Sequence, residues 1–333
     1  MTRYDKILGG LLGAAVGDAM GAATETRPAD AIKEFFGGWV RDIIPPPEDV
    51  FARGCPAGFV TDDFSIAYYT AKEIAKRKGV IDKDTAEGAL LNWFESPYTY
   101  MAGPTTCGAI MALKGEPPTP TYPFLSYDNT KGSNGSAMKI GPVGLVNAGN
   151  PDKAIKDAIT ICAPTHGNNV ALSGGCAVAA SVAVAMQDGA TIYDLVEAGL
   201  KGAAAGDKAG REHFKTICGP SIVKRINLAV EIALRCGDVE KTMFELADII
   251  GSGLAAAEAV PCAYGLMVAA KGDALESIIG GVNIGNDTDT IATIVGSMTG
   301  ALNGYFDRKY IDLINKANNF DLEGVAKELD ACY

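Results

Sequence analysis

Two stretches far apart in the chain concentrate oxygen donors: Thr61, Asp62 and Asp63, and then Asp287, Thr288, Asp289 and Thr290. Each stands at the mouth of a helix-patterned segment. After Thr61 the apolar positions Phe64, Ala67, Tyr68, Ala71, Ile74 and Ala75 recur with helical period, and Lys72, Glu73, Lys76 and Arg77 take the other face. After the second stretch, Ile291, Ile294, Val295, Met298 and Leu302 fall on one face, so this helix is expected to pack in the core. Capping and the helix dipole explain an acid at such a place, but one acid suffices for that. Like charges held beside a core repel and are costly to desolvate unless a cation or a shared proton compensates them. If the two mouths face each other, they form an all-oxygen set suited to a hard cation, Mg²⁺, Mn²⁺ or Ca²⁺, rather than to zinc. Residue types alone do not bring the stretches together, and plain N-capping stays open for each.

The elements that must position these acids read as helices. Further helical periods run near 84–95, 152–162, 168–187, 221–235, 240–250, 253–271 and 307–317, and alternating strand patterns are scarce, so the expectation is an all-α fold. In the first helix Gly9, Gly13, Gly17 and Gly21 recur every fourth residue. Each costs about 1 kcal/mol against alanine, and close packing against another helix is the expected compensation. That helix ends at Asp18 and Glu25, expected near an opening. Two irregular stretches, 37–58 and 115–135, are long enough to be functional loops.

Bulk properties narrow the function. The chain has 333 residues, 48% hydrophobic and 21% charged, with no composition break that marks a linker, so one domain over 1–333 is expected. A formal net charge of −11 argues against nucleic acid or an anionic membrane as partner and suits a metal cation. The apolar N-terminal stretch carries Asp18 in its interior and does not read as a signal peptide, and the apolar run 170–186 is short for a membrane span. Eight cysteines without a CxxC pair point to reduced thiols in a cytoplasm.

The segments GGLLGAAVGDAMGAATE (9–25), TDDFSIAY (61–68), NGSAMKIGPVGL (134–145), THGNNVALSGGCAVAAS (165–181) and VNIGNDTDTIATIVGSMTGALNG (282–304) resemble the successive signatures of the ADP-ribosylglycohydrolase family, which includes the dinitrogenase reductase activating glycohydrolase. The resemblance implies a compact all-α orthogonal bundle with a binuclear Mg²⁺ or Mn²⁺ site at helix N-termini. It carries metal-ligand roles onto Thr61, Asp62, Asp63, Asp287, Asp289 and Thr290, and catalytic roles onto Glu25 and Asp63. Substrate-binding roles fall on Gly132, Ser133, Asn134, Gly135, Ser136, Met138, Lys139 and His166. Without the resemblance, Glu25 reads as a solvated loop acid, the 132–136 loop as a turn and His166 as a structural histidine.

The implied activity is metal-dependent hydrolysis of the C1 bond of a ribose, removing an ADP-ribosyl group from a protein or small molecule. The alternatives are a small nucleoside-like N-riboside as substrate, or a non-catalytic ADP-ribose-binding or crystallin-like protein. Two departures stand out. Lys139 occupies the place of the family's usual arginine and cannot form its bidentate fork, which points to weaker grip on a diphosphate and a smaller substrate. Asn286 replaces a glycine, adding a side chain beside the acids.

Overall fold

The computed structural model describes residues 1–116, 126–304 and 306–333. Among these residues it contains helices and no named strand. The first eight are α1 (Arg3–Gly21), α2 (Ala29–Phe35), α3 (Asp62–Lys76), α4 (Lys83–Phe94), α5 (Pro104–Leu113), α6 (Gly141–Val146), α7 (Pro151–His166) and α8 (Asn169–Ala185). They are followed by α9 (Ile192–His213), α10 (Ile222–Cys236), α11 (Val239–Ile249), α12 (Ala256–Ala269), α13 (Ala274–Asn283), α14 (Thr288–Asn303), α15 (Arg308–Asn318) and α16 (Leu322–Asp330). None is long and apolar enough to cross a membrane.

The glycine stripe of α1 is a helix-packing face. A Cβ on Gly9, Gly13 or Gly17 would come within 2.4, 2.2 and 2.3 Å of the carbonyl oxygens of Gly300, Gly296 and Ala292 on α14. On Gly21 it would meet the Asp289 Cα at 2.4 Å. The two backbones therefore touch along their length and run antiparallel, and the end of α1 backs directly onto the first turn of α14. Thr288 locks this junction from behind: its hydroxyl donates to the Gly21 carbonyl at 3.0 Å and accepts from Thr24 at 2.9 Å. Ile291, Ile294, Val295 and Met298 are fully buried, as the periodicity predicts.

A second stripe, Gly199, Gly202, Gly206 and Gly210, does the same work elsewhere. On Gly202 and Gly206 a Cβ would lie 2.3 Å from the Cys176 and Leu172 carbonyls, seating α9 on α8.

In α3 one expectation fails. Glu73 is buried at 4% exposure rather than solvated. Lys76 and Arg77 each approach its carboxylate at 3.2 Å and Asn92 donates to it at 3.1 Å, which satisfies a charge that would otherwise be costly inside. The irregular stretch 37–58 is pinned by Val40, whose N–H and carbonyl bond the Asn283 side chain at 2.9 and 2.8 Å, and by an Arg27–Asp49 ion pair. Part of the other long stretch, 117–125, lies outside the described residues.

Candidate metal centre and active site

The two acidic helix mouths meet. Thr61, the N-cap of α3, places its hydroxyl 3.4 Å from the carboxylates of both Asp63 and Asp289. Thr61 does cap its helix, accepting from the Asp63 N–H at 3.3 Å. Asp287 does not: it stands at the N-cap of α14 without a side-chain capping bond. Its carboxylate accepts instead from the Asn134 amide at 2.5 Å. Capping therefore accounts for Thr61 and leaves Asp287 unexplained.

Glu25 completes the cluster from the turn after α1. One ligand oxygen from each of Glu25, Asp287 and Asp289 lies within 4.8 Å of the others, Glu25 partly exposed and the aspartates buried. The turn is tied to the loop before Asp287 by hydrogen bonds from Thr26 N–H to the Asn286 carbonyl (2.7 Å) and from Asn286 N–H to the Arg27 carbonyl (2.9 Å). Both Thr26 (φ 71°) and Asn286 (φ 66°) occupy the left-handed region. A β-branched residue is strained there, whereas asparagine tolerates it. Asn286 thus meets the backbone requirement that a glycine would meet, and its side chain is exposed.

Burial and mutual repulsion dominate the electrostatics. Desolvation, then the charges of Asp287, Asp62 and Asp18, push the Glu25 carboxyl up to about 8. Burial and then Asp18 push Asp62 up to about 8. Burial also raises Asp287, and holds Asp63 and Asp289 well above the carboxylate range, with their acidic neighbours adding to the last two. The charges that act most strongly on them are those of other acids. One carboxylate oxygen, Asp63 Oδ1, is buried without a hydrogen-bond partner. An unpartnered buried carboxylate oxygen among hydroxyls and other carboxylates is the donor chemistry of a hard cation, so the residues fit Mg²⁺ or Mn²⁺.

The 132–139 segment flanks this cluster. Asn134 links it to Asp287, and its own N–H donates to the Leu254 carbonyl at 2.9 Å. Gly132 accepts from Ala256 N–H at 3.0 Å. Gly135 admits His166, whose Nε2 a Cβ would meet at 2.7 Å. His166 is buried and neutral, because desolvation drives its pKa well below the usual value. Ser133 is partly exposed, while Ser136, Met138 and Lys139 are buried. The Ser136 hydroxyl is engaged with the Ala171 carbonyl at 2.6 Å, and Lys139 Nζ with Thr165 Oγ1 at 2.7 Å, so both point into the protein.

Three contributors escape a sequence reading. Asp18 is fully buried rather than at an opening; it accepts from Thr61 N–H (2.9 Å) and Phe64 N–H (2.7 Å) and so anchors the first turn of α3. An acid inside a glycine-striped apolar helix is the available signal. Ser252 supplies the carbonyl that receives Asp287 N–H at 3.0 Å, and Glu258 closes the loop around it by accepting from Gly253 N–H at 3.0 Å. The short GSG run at 251–253 marks that loop only weakly.

The family model of ADP-ribosylglycohydrolases matches residues 1–330. YegU of Escherichia coli (strain K12) is 30% identical over 97% of this chain and 93% of its own. The ADP-ribosylhydrolase ARH3 of Gallus gallus is 25% identical over 89% of this chain and 84% of its own. A solved structure described as an ADP-ribosylglycohydrolase-related protein complex superposes with a TM-score of 0.66, at 24% identity, over 98% of this chain and 97% of that one. The fold is shared across that whole length, and the chain belongs to the ADP-ribosylglycohydrolase family.

Proposed function

We propose that this protein, acting as one domain over 1–333, is a metal-dependent glycosidase that hydrolyses the C1 bond of a ribose, releasing an ADP-ribosyl group from a protein or small molecule. The family is one of hydrolases. The observation that carries the reading is the convergence of Thr61 and Asp63 with Asp287 and Asp289, with Glu25 on their open side. Thr61, Asp62, Asp63, Asp287, Asp289 and Thr290 would hold a pair of Mg²⁺ or Mn²⁺ ions. Bound there, the ions would supply Lewis-acid stabilisation of charge on the ribose oxygens.

Glu25 is assigned the proton transfer. It is partly exposed where Asp63 is buried, so it is the acid of the cluster that can reach water and exchange a proton with it. It would activate water as the sugar passes through an oxocarbenium-like state. Asp63, enclosed by Thr61 and Thr290, is better suited to holding a cation than to exchanging protons. The loop Gly132, Ser133, Asn134 and Gly135 would contact the substrate, with His166 behind it; Ser136, Met138 and Lys139 would support that loop from within. Scattered thiols without a CxxC pair suit a reducing compartment such as the cytoplasm.

The test is a hydrolysis panel of ADP-ribosyl-arginine, ADP-ribosyl-serine, O-acetyl-ADP-ribose and nucleosides, with Mg²⁺, with Mn²⁺ and with chelator. Metal-dependent turnover of an ADP-ribosyl compound supports the reading. Turnover of nucleosides alone shifts it to small ribosides, and no turnover leaves a binding protein.

A further inference from the structure

Behind the loop runs a partly buried chain of hydrogen bonds that the proposed catalysis does not use. Lys139, 1% exposed, places Nζ 2.7 Å from Thr165 Oγ1. Thr165 Oγ1 lies 2.7 Å from His166 Nδ1, and His166 Nε2 lies 3.1 Å from Ser133 Oγ. Burial pulls the Lys139 pKa down; as an ammonium Lys139 only donates, so Thr165 Oγ1 accepts from it. The threonine's own hydrogen then has two destinations, His166 Nδ1 at 2.7 Å or the Cys162 carbonyl at 3.4 Å, and the shorter contact is the histidine. A neutral imidazole that accepts at Nδ1 carries its hydrogen on Nε2 and donates it to Ser133. Ser133 Oγ thus accepts from inside the protein, and its hydroxyl hydrogen is left to point outward. Ser133 is the partly exposed residue between buried Gly132 and buried Asn134, whose amide holds Asp287.

We propose that Lys139 is a positioning residue which, through Thr165 and His166, fixes Ser133 as a hydrogen-bond donor toward an acceptor-only oxygen of the substrate, a phosphate oxygen above all. A ribose hydroxyl donates as readily as it accepts and gains little from a one-way donor; a phosphate oxygen only accepts. The inference rests on the ADP-ribosyl reading for its ligand class. It also gives the lysine a role that does not require it to touch the diphosphate.

The chain carries His166 and His213 as its only histidines, so ¹⁵N-histidine labelling of the full protein gives two imidazoles to assign, with a His213→Gln variant identifying the exposed one. In free wild type His166 is expected as the Nε2–H tautomer. Lys139→Met and Thr165→Val should each lose that single tautomer and weaken ADP-ribose binding, measured by calorimetry with Mg²⁺, by about tenfold. Adenosine binding should be unchanged, and neither variant should add to the loss caused by Ser133→Ala. Thr165 is only half-buried, so its variant stands in if the lysine variant does not fold. An Nδ1–H tautomer in wild type overturns the relay and leaves the functional reading intact. Equal losses for adenosine and ADP-ribose reduce Lys139 to a structural residue and overturn the proposal. Wild type with the expected tautomer that fails to bind ADP-ribose overturns the ligand class together with the reading it rests on.

Discussion

Replacing Gly17 by alanine should damage the acid cluster without touching an acid. Its Cβ would sit 2.3 Å from the Ala292 carbonyl oxygen and 2.7 Å from the Thr293 nitrogen, both backbone atoms of α14 that no rotamer change can move. That is roughly 0.7 Å short of the closest approach a Cβ ordinarily makes, so α1 and α14 must separate or slide. Alanine gains about 1 kcal/mol in helix propensity. Overpacking against rigid backbone costs about 3 kcal/mol, the upper end of its usual range, so a net loss of about 2 kcal/mol is expected by urea unfolding. Asp289 begins α14 and rides with it, so the same shift should move its carboxylate from Thr61 and weaken Mn²⁺ binding at least about tenfold, since misplacements near 1 Å are that costly at a tuned site. Gly206→Ala is the comparison. It meets the Leu172 carbonyl at 2.3 Å, between α9 and α8, neither of which carries an acid of the cluster, and should lose similar stability while the folded protein binds Mn²⁺ normally. Equal Mn²⁺ affinities in the two variants would refute the argument that the glycine stripe positions the site.

Metal-free protein should lose stability as pH rises from about 4.5 to 8. Glu25 keeps its proton in the folded state up to about 8 and gives it up near 4.5 when unfolded, so the native state binds more protons across that window and stability falls by up to about 1.4 kcal/mol per pH unit for each such group. Melting temperatures of chelator-treated protein check this, and a flat profile contradicts it. Asp289→Asn removes a buried acid that is costly to ionise, so it should raise the metal-free melting temperature at neutral pH while abolishing most of the rise caused by Mn²⁺; an unaltered Mn²⁺ shift would clear Asp289 of ligation. Glu25→Gln should lower kcat by about 10²- to 10⁴-fold with little change in KM, and a change in KM alone would make Glu25 a substrate contact.

The helices that carry the acids are legible in the sequence because their apolar positions keep strict helical spacing, as Phe64 to Ile74 and Ile291 to Leu302 do. In α9 that stripe is diluted: beside Leu195, Val196, Ala198 and Ala203 its buried face holds Gly199, Gly202, Gly206 and Gly210, which contribute contact without hydrophobicity. The meeting of Thr61 with Asp289 is illegible for a different reason, since nothing local ties residues so distant in sequence. It depends on the backbone contact of α1 with α14 and on Asp18, a buried acid that accepts from the N–H groups of Thr61 and Phe64. Side-chain direction is lost too. Lys139 reads as a substrate-gripping cation in a loop signature, yet one turn of 3₁₀ helix at Asn134–Ser136 precedes it and its side chain is buried.

The proposed activity requires residues 61–63 and 287–290 to join into one cation site. Crystals grown with Mn²⁺ and measured at its absorption edge test this directly. Two anomalous peaks among Thr61, Asp62, Asp63, Asp287, Asp289 and Thr290, with Asp63 Oδ1 ligated, are predicted. No peak there under saturating Mn²⁺, or peaks only at other acidic residues, would contradict it.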